Sequence, residues 1–538
     1  MPEVYLYDTT LRDGSQGENI NFTAEDKLKI ARKLDSFGVH YIEGGWPGSN
    51  PKDTIFFEQA KKIDFKNSKL TAFGATRRPG QSVENDPSLQ AILKSEAPAV
   101  TLFGKTWDLH VEKIMNNTLE ENLRMIKESV SYFRGNGREI IYDAEHFFDG
   151  YKENRDYALK TLGAAFEGGA EFLVLCDTNG GTLPYEVGDA VLDVKDYFNN
   201  KYGSCENFRI GIHAHNDSGL AVANSIEAVR KGAVMVQGTV NGYGERCGNA
   251  DITSVIPVLA VKMGIDCISP ENLKRIKNVS RYVSETANVP PLNNRPFVGK
   301  SAFAHKGGVH VSAVQKDARA YEHMLPELVG NERRVIVSDY SGKSNIEYKA
   351  KELGIDLEKA EVDSKDIVEA IKNLEQSGYQ FEAAEASFRI LMEKLTGDFK
   401  LPFELISFRV TIEKDLARLC SSHAMIKISV DGTETITAAE GHGPVSALDN
   451  ALRKALSSFF ESIKGMHLVD FKVRVLDGSG GTESKVRVLI ESRDEDNIWT
   501  TIGVSEDIIE ASWQALADSF YYKLGILEAK NKDFKNEQ

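Results

Sequence analysis

Short apolar runs recur along the first half of the chain and alternate with longer amphipathic stretches. The runs occupy a segment beginning at Val4 and residues 39–45, 69–75, 98–104, 139–145, 171–177, 209–215 and 234–240. Between them, stretches such as 23–38 and 118–135 have helical periodicity, with Thr23 as a predicted N-cap and Gly38 as a predicted stop. Eight strand–helix units over about 250 residues predict an α/β fold, a (β/α)₈ TIM barrel with parallel strands. A doubly wound sheet is the alternative, but eight units are many for it.

The second half of the chain predicts two further regions. Residues 271–400 read as helices, broken by the proline-rich segment PPLNNRP at 290–296. Residues 401–525 contain an internal repeat in which three strands precede one helix, and Pro444 suits the first turn of the first of these helices. We therefore predict a catalytic barrel over 1–270, helical linker subdomains over 271–400, an α+β domain with a duplicated βββα unit over 401–525, and a tail over 526–538.

Composition narrows the class of protein. The chain has 538 residues, of which 41% are hydrophobic, enough to form buried cores. Its 80 acidic and 65 basic residues give a net charge of -15, which argues against a general nucleic-acid binder. No apolar run reaches the roughly 18 residues of a membrane span, and the N-terminus lacks signal-peptide features. The five cysteines form no Cys-X-X-Cys pair, which favours a reducing cytoplasm.

Polar side chains gather where the predicted barrel strands end. They include Asp8, Arg12, Asp13, Glu43, Asp143, Glu145, His146, Asp177, Thr178, Asn179, His213, His215, Glu245, Arg246 and Asn249. In TIM barrels the C-terminal ends of the strands carry the chemistry. A single polar strand end is compatible with a helix cap or a solvent contact. A set that converges from six strand ends predicts an active site.

The segment His213-Ala214-His215 gives the most specific signal. Residues at i and i+2 of a strand point to the same side, so the two imidazoles can bind one ion. Hydrogen-bonded core histidines are the alternative. Because the pair ends an apolar strand opposite Asp13, we favour a metal site. Two nitrogens and a carboxylate suit a divalent ion such as Mn²⁺, Mg²⁺, Co²⁺ or Zn²⁺, with positions left open for substrate and water.

Arg12 and Thr178 are candidates for binding an anionic substrate. A guanidinium beside a metal-bound anion stabilises developing negative charge, although a surface salt bridge is the alternative for Arg12. Thr178, within CDTNGGTLP, can hold a carboxylate through its hydroxyl and backbone N–H. The alternative role of Thr178 is to cap the following helix.

The motifs YDTTLRDGSQ (7–16), GIHAHND (211–217) and GTVNGYGERCGNA (238–250) resemble those of the isopropylmalate synthase and homocitrate synthase family. The segment YIEGGWPGSNPKD (41–53) resembles the branch of that family that uses pyruvate. The resemblance covers nearly the whole chain. It implies an acyltransferase that condenses acetyl-CoA with pyruvate and water, at the start of a threonine-independent route to isoleucine. A sister enzyme that uses a larger 2-oxo acid is the alternative.

The resemblance also implies roles for individual residues. Asp13, His213 and His215 match the family's metal ligands, and Asn249 matches a residue at or just beyond the metal shell. Arg12 matches the catalytic arginine, and Thr178 matches the threonine that holds the 2-oxo acid carboxylate. Glu145 matches the acidic residue after strand five, although Asp143 is a rival. His310 and Tyr321 match a histidine and a tyrosine that complete the site from a partner chain.

For the C-terminal repeat, the resemblance implies the regulatory domain of isopropylmalate synthases, which binds an end-product amino acid. Isoleucine is the expected effector, and a domain that only forms the dimer is the alternative. We therefore expect a cytoplasmic homodimer whose partners are small molecules rather than nucleic acid or membrane. An amino-acid-responsive binding protein with an inert barrel is a third hypothesis, against which the complete set of Arg12, Asp13, His213 and His215 argues.

Overall fold

The computed structural model describes residues 3–203, 208–338, 340–414, 420–476 and 484–527. The chain forms two compact units. The first comprises Met1–Phe303 with Met324–Arg333, and the second comprises Ala304–His323 with Arg334–Gln538. Among the described residues, no helix combines the length and the apolar character that crossing a bilayer requires.

A closed parallel barrel forms the centre of the first unit, which confirms the predicted TIM barrel. Within the described residues its eight strands are β1 (Tyr5–Asp8), β2 (Tyr41–Gly45), β3 (Lys69–Ala75), β4 (Ala99–Lys105), β5 (Glu139–Glu145), β6 (Phe172–Asp177), β7 (Arg209–Ala214) and β8 (Met235–Gly238). Each strand pairs with the next along the chain, and β8 pairs with β1 over the whole of Tyr5–Asp8 to close the ring. The carboxyl ends of all the strands therefore meet at one rim.

Helices alternate with these strands. They are α1 (Ala24–Phe37), α2 (Pro51–Ala60), α3 (Pro87–Lys94), α4 (Leu119–Gly135), α5 (Phe147–Glu153), α6 (Arg155–Gly168), α7 (Pro184–Tyr202), α8 (Ala221–Arg230) and α9 (Ile252–Pro257), followed by α10 (Pro270–Leu273) and α11 (Ile276–Thr286). The predicted boundaries of α1 are confirmed: the Thr23 hydroxyl accepts the Asp26 N–H at 3.1 Å, and Gly38 ends the helix at a φ of 96°. Only glycine adopts this conformation without strain.

Two layers of apolar side chains hold the barrel together. Tyr7, Tyr41, Ile141, Phe172 and Val174 fill the inside of the ring. A larger cluster packs the outer face of the strands against the helices. Since both faces of each strand are buried, the strands read as nearly continuous apolar runs in the sequence. Polar side chains are therefore conspicuous wherever they enter this interior.

The second unit contains the predicted repeat. It begins with β9 (Ala304–His305), α12 (Gly308–Lys316), β10 (Arg334–Val335), α13 (Lys343–Leu353), α14 (Ser364–Gln376) and α15 (Glu385–Thr396). The repeat follows as β11 (Glu404–Glu413), β12 (Ser421–Val430), β13 (Thr433–Gly441) and α16 (Pro444–Leu456), then β14 (His467–Val475), β15 (Val486–Arg493), β16 (Ile498–Ser505) and α17 (Ile508–Tyr521). Each triplet of strands is an antiparallel sheet, so the duplicated βββα unit is confirmed. Pro444 is the first residue of its helix, as predicted. Most of the predicted tail lies outside the described residues.

Candidate active site

Asp13, His213 and His215 come together at the rim of the barrel. One potential ligand atom from each lies within 4.8 Å of the others, and all three residues are buried. Oδ2 of Asp13 lies 3.2 Å from Nε2 of His213 and 3.8 Å from Nε2 of His215. His213 lies on β7 and His215 one residue beyond its end, so the strand alternation turns both rings toward the turn after β1.

Asn249 adjoins this cluster from the loop after β8. Its Nδ2 donates to Oδ2 of Asp13 at 3.0 Å and lies 3.1 Å from Nε2 of His213. Oδ1 of Asn249 and Nδ1 of His215 are buried and have no hydrogen-bond partner among the described residues. An unpartnered buried oxygen beside a carboxylate and two imidazoles fits a site that receives a cation.

The electrostatics of the cluster favour ionised Asp13. Burial alone would raise the pKa of Asp13, but Arg12, His213 and His215 together hold it well below its usual range. Burial and the neighbouring His213 lower the pKa of His215 to about 4. A carboxylate and a neutral imidazole are the forms that bind metals.

Arg12 is fixed beside the cluster by a carboxylate that the sequence analysis noted only as a strand end. Nε of Arg12 donates to Oε1 of Glu43, and Nη1 of Arg12 lies 3.3 Å from Oδ2 of Asp13. Glu43 is fully buried and also accepts hydrogen bonds from the Tyr7 and Thr9 hydroxyls. Glu43 lies at the end of β2, and Arg12, in the LRDG motif, follows β1. Their positions at neighbouring strand ends were the sequence signal for this contact.

The two acidic residues of β5 lie in different surroundings. Glu145, at the end of the strand, forms an ion pair with Lys105 and has a side chain that is 24% exposed. Asp143 is buried inside the barrel, where burial raises its pKa to about 7, and its Oδ1 accepts a hydrogen bond from Gln237. Glu145 is therefore the accessible acid of the pair.

Gln237 is a polar residue that the sequence analysis did not single out. It lies in the middle of the apolar run VMVQGTV, and its side chain is completely buried in the barrel. Its Oε1 lies 2.8 Å from Nδ1 of His213. A lone amide within a strand that is otherwise apolar was the signal that could have identified it.

Thr178 links three loops at the rim. Its hydroxyl accepts the backbone N–H of His146 at 2.8 Å, and its carbonyl accepts an N–H of Arg246 at 2.8 Å. Arg246 is held in turn by two hydrogen bonds to Asp217. The Thr178 hydroxyl thus caps the residue after β5 rather than α7, which begins at Pro184. The hydroxyl hydrogen remains available to a ligand, because the oxygen is the acceptor in this contact.

Aromatic rings form a wall next to Arg12. The Arg12 guanidinium lies 3.8 Å from the centroid of the Phe73 ring. Phe73 stacks on Phe103 with the centroids 5.3 Å apart, and Trp46 meets both rings edge-on. Trp46 belongs to the GGWPGSN segment, and Phe73 and Phe103 lie on β3 and β4. The rim beside Arg12 is therefore apolar on one side.

His310 and Tyr321 belong to the second unit. His310 lies on α12, and its ring stacks on the ring of Tyr321 with the centroids 4.1 Å apart. Tyr321 is 47% exposed. The structure thus brings these two predicted residues together, in a separate unit from Arg12 and Asp13. Their contribution to catalysis remains a prediction.

Known families match three parts of the chain. The HMGL-like family matches residues 3–283, the homocitrate synthase post-HMGL domain-like family matches 297–379, and the LeuA allosteric (dimerisation) domain matches 382–524. The (R)-citramalate synthase of Aquifex aeolicus is 54% identical over 97% of this chain and 98% of its own length. That of Geobacter sulfurreducens is 52% identical over 97% and 98%.

A 2-isopropylmalate synthase, from Dictyoglomus turgidum, is 31% identical over 95% of this chain and 96% of its own length. Identity to these two citramalate synthases is higher than to this 2-isopropylmalate synthase by more than half over a similar span, which supports the branch that the 41–53 segment indicates. The chain is an acyltransferase of the HMGL-like family, and within it belongs to the (R)-citramalate synthase family.

Proposed function

We propose that this enzyme condenses acetyl-CoA with pyruvate and water, giving (R)-citramalate and CoA, through the rim residues described above. The observation that carries the proposal is the buried cluster of Asp13, His213 and His215 with Arg12 against it, in a chain about half identical to citramalate synthases. A cation and a fixed guanidinium at the same place suit an anionic 2-oxo acid whose ketone oxygen gains negative charge during the reaction.

Asp13, His213 and His215 would hold a divalent ion, with Oδ1 of Asn249 as a further donor. The donor set and the unpartnered Asn249 oxygen support this assignment. Mixed nitrogen and oxygen donors suit Mn²⁺ and, less selectively, Mg²⁺, Zn²⁺ or Co²⁺. When bound, such an ion polarises the ketone of the substrate and makes its carbon electrophilic.

Arg12 and Thr178 orient the substrate. The Arg12 guanidinium lies beside Asp13 and stabilises the oxyanion that forms when the ketone carbon is attacked. The Thr178 hydroxyl donates its hydrogen to the substrate carboxylate, since its oxygen already accepts from His146. Because Glu43 fixes Arg12 and Arg246 fixes Thr178, both groups are held in place before the substrate arrives.

A base must remove a proton from the methyl group of acetyl-CoA. We assign this role to Glu145, whose side chain is partly exposed at the rim and forms an ion pair with Lys105. His310 and Tyr321 of a partner chain complete the site, as the family resemblance implies. The deprotonated acetyl-CoA attacks the ketone carbon of pyruvate, and the alkoxide that forms takes up a proton to give citramalyl-CoA. Water then cleaves the thioester, so that CoA leaves as the thiol and citramalate carries the new carboxylate.

The wall of Trp46, Phe73 and Phe103 limits the size of the 2-oxo acid. Pyruvate carries only a methyl group beyond its ketone, which an apolar surface next to Arg12 accommodates. A hydrophobic pocket discriminates against one additional methylene by about 10–200-fold. Selection of pyruvate is therefore within the range that such a wall supplies.

The repeat in the second unit binds isoleucine and contributes to a homodimer. The match of residues 382–524 to an allosteric and dimerisation domain supports this part of the proposal. Calorimetric titration of the full chain with isoleucine, leucine and valine tests it, and isoleucine should bind most tightly.

The four cysteines of the described residues are unpaired, in keeping with an enzyme of the reducing cytoplasm.

A thiol-release assay with acetyl-CoA and a panel of 2-oxo acids tests the reaction. We expect kcat/KM for pyruvate to exceed those for 2-oxobutyrate, 2-oxoisovalerate and 2-oxoglutarate by at least about tenfold. Product chirality should be (R). Preference for 2-oxoisovalerate or 2-oxoglutarate would instead identify an isopropylmalate or a homocitrate synthase.

A further inference from the structure

A hydrogen-bonded chain runs through the inside of the barrel below the candidate metal site. Nδ1 of His213 lies 2.8 Å from Oε1 of Gln237, and Nε2 of Gln237 lies 2.9 Å from Oδ1 of Asp143. The three residues come from β7, β8 and β5, and all are buried. Nε2 of His213, on the other edge of the ring, faces Asp13.

The order of donors and acceptors along these hydrogen bonds is fixed at the contact between Gln237 and Asp143. Nε2 of Gln237 donates to Oδ1 of Asp143, so the NH₂ group of Gln237 faces this carboxyl group. The amide oxygen of Gln237 then faces His213, and only a protonated Nδ1 satisfies it. The lone pair of His213 is thereby left on Nε2, the atom that points to Asp13.

We propose that Gln237 and Asp143 are positioning residues that set the tautomer and the ring orientation of His213, so that its Nε2 binds the divalent ion. The inference rests on the metal site of the proposed function. Ligating histidines generally need such a partner for the second ring nitrogen. His215 has none among the described residues, since its buried Nδ1 is unpartnered there. The support is thus specific to His213.

The surroundings argue against a purely structural role for the pair. The neighbouring interior positions include Ile141, Val174 and Met235, which pack there without an amide or a carboxylate. Burying a carboxylate costs free energy unless its hydrogen bonds compensate, and burial raises the pKa of Asp143 to about 7. Apolar side chains would fill the same space at lower cost, so the polar pair has a use beyond packing.

Titration of the metal-free, full-length protein with Mn²⁺ at pH 8, where Asp143 is ionised, tests the proposal. Gln237→Met keeps the volume but removes both hydrogen bonds, and we expect Mn²⁺ affinity to fall about 10–100-fold. The double exchange Asp143→Asn/Gln237→Glu swaps the amide and the carboxylate. The carboxylate at position 237 then accepts from Nδ1 of His213, and the amide at position 143 donates to that carboxylate. This variant should bind Mn²⁺ within about threefold of the unsubstituted protein.

Thr71→Val is the matched control, because it alters a buried β3 hydroxyl that has no hydrogen-bond partner among the described residues. Its Mn²⁺ affinity should not change. Unchanged Mn²⁺ affinity in Gln237→Met would overturn the proposal. A double-exchange variant that binds Mn²⁺ as weakly as Gln237→Met, or that does not fold, would also overturn it. The double exchange decides the matter even if Gln237→Met does not fold. Absence of Mn²⁺ binding in the unsubstituted protein would instead refute the metal site itself.

Discussion

Arg12 and Glu43 form a buried ion pair between the turn after β1 and the end of β2. Glu43 accepts from Nε of Arg12, so the guanidinium is held edge-on to Glu43 while its face rests on the Phe73 ring. Its Nη1 is thereby placed 3.3 Å from Oδ2 of Asp13. This geometry needs the planar fork of arginine, which a lysine ammonium cannot reproduce.

Arg12→Lys should therefore reduce kcat strongly and leave the metal site intact. Removing one preorganised donor to an oxyanion costs on the order of 10²–10³ in rate. We expect a loss of this size in the thiol-release assay with pyruvate, together with unchanged Mn²⁺ affinity. Arg155→Lys, at a surface arginine paired with Asp193, is the matched control and should retain full activity. A loss below about threefold for Arg12→Lys would indicate a structural role.

Removal of the metal should abolish turnover reversibly. Dialysis against a chelator is expected to give a folded but inactive protein, and Mn²⁺ or Mg²⁺ should restore activity. His215→Ala should weaken Mn²⁺ binding because it removes one of three clustered ligands. His423→Ala, at a partly exposed histidine of the second unit, should not. Full activity after exhaustive dialysis would rule out a metal-dependent reaction.

Phe73→Ala should relax the preference for pyruvate. The substitution removes the ring that lies under Arg12 and stacks on Phe103, which opens space beside the substrate. We expect the ratio of kcat/KM for 2-oxobutyrate to that for pyruvate to rise by about tenfold or more. Phe133→Leu, in the buried face of α4, is the control for a general loss of packing. An unchanged ratio would show that the aromatic wall does not contact the substituent.

Asp8 should make the protein less stable as the pH rises from about 4 to 7. Burial raises its folded-state pKa to about 7, whereas an unfolded aspartate titrates near pH 3.9. In this window Asp8 holds a proton in the folded state but not in the unfolded state. The stabilising contribution of that proton is complete below pH 4 and is lost as the pH passes 7. A shift of this size corresponds to about 4 kcal/mol.

Urea unfolding of Asp8→Asn at several pH values checks this prediction. Asparagine can accept the Thr10 N–H through Oδ1 and donate Nδ2–H to the Thr10 hydroxyl oxygen, but it does not titrate. The free energy of unfolding of the variant, relative to the unsubstituted protein, should therefore increase between pH 4 and 7. Asp156→Asn, at a highly exposed aspartate, should show no such trend. A parallel pH dependence for Asp8→Asn would contradict the assignment.

The local elements of this protein could be predicted from its sequence. Apolar runs alternate with amphipathic stretches because each strand is buried on both faces and each helix on one. Thr23 and Gly38 mark the ends of α1 because a hydroxyl cap and a left-handed glycine are local requirements. The repeat over 401–525 was predictable for the same reason, since each half carries its own pattern of three strands and a helix.

The sequence also identified most of the rim. The polar residues at the strand ends, and above all His213 and His215, were identifiable because strand alternation fixes which side chains share a face. Depth in the barrel was not predictable in this way. Asp143 and Glu145 share a face of β5, yet one is buried against Gln237 and the other reaches solvent beside Lys105. Their difference depends on side chains from other strands.

By itself, then, the sequence determined the strands and helices, the duplicated C-terminal unit and the chemistry available at the rim. Only the tertiary structure decided which of those groups touch. Closure of β8 onto β1 brings Asn249 to Asp13, 236 positions away, and Gln237 to Asp143, 94 positions away. Such contacts leave no periodic trace along the chain, because the spacing between partners is set by how many strand–helix units lie between them. The hydrogen bonds that orient His213 and Arg12, and the burial around them, exist only after the ring has closed.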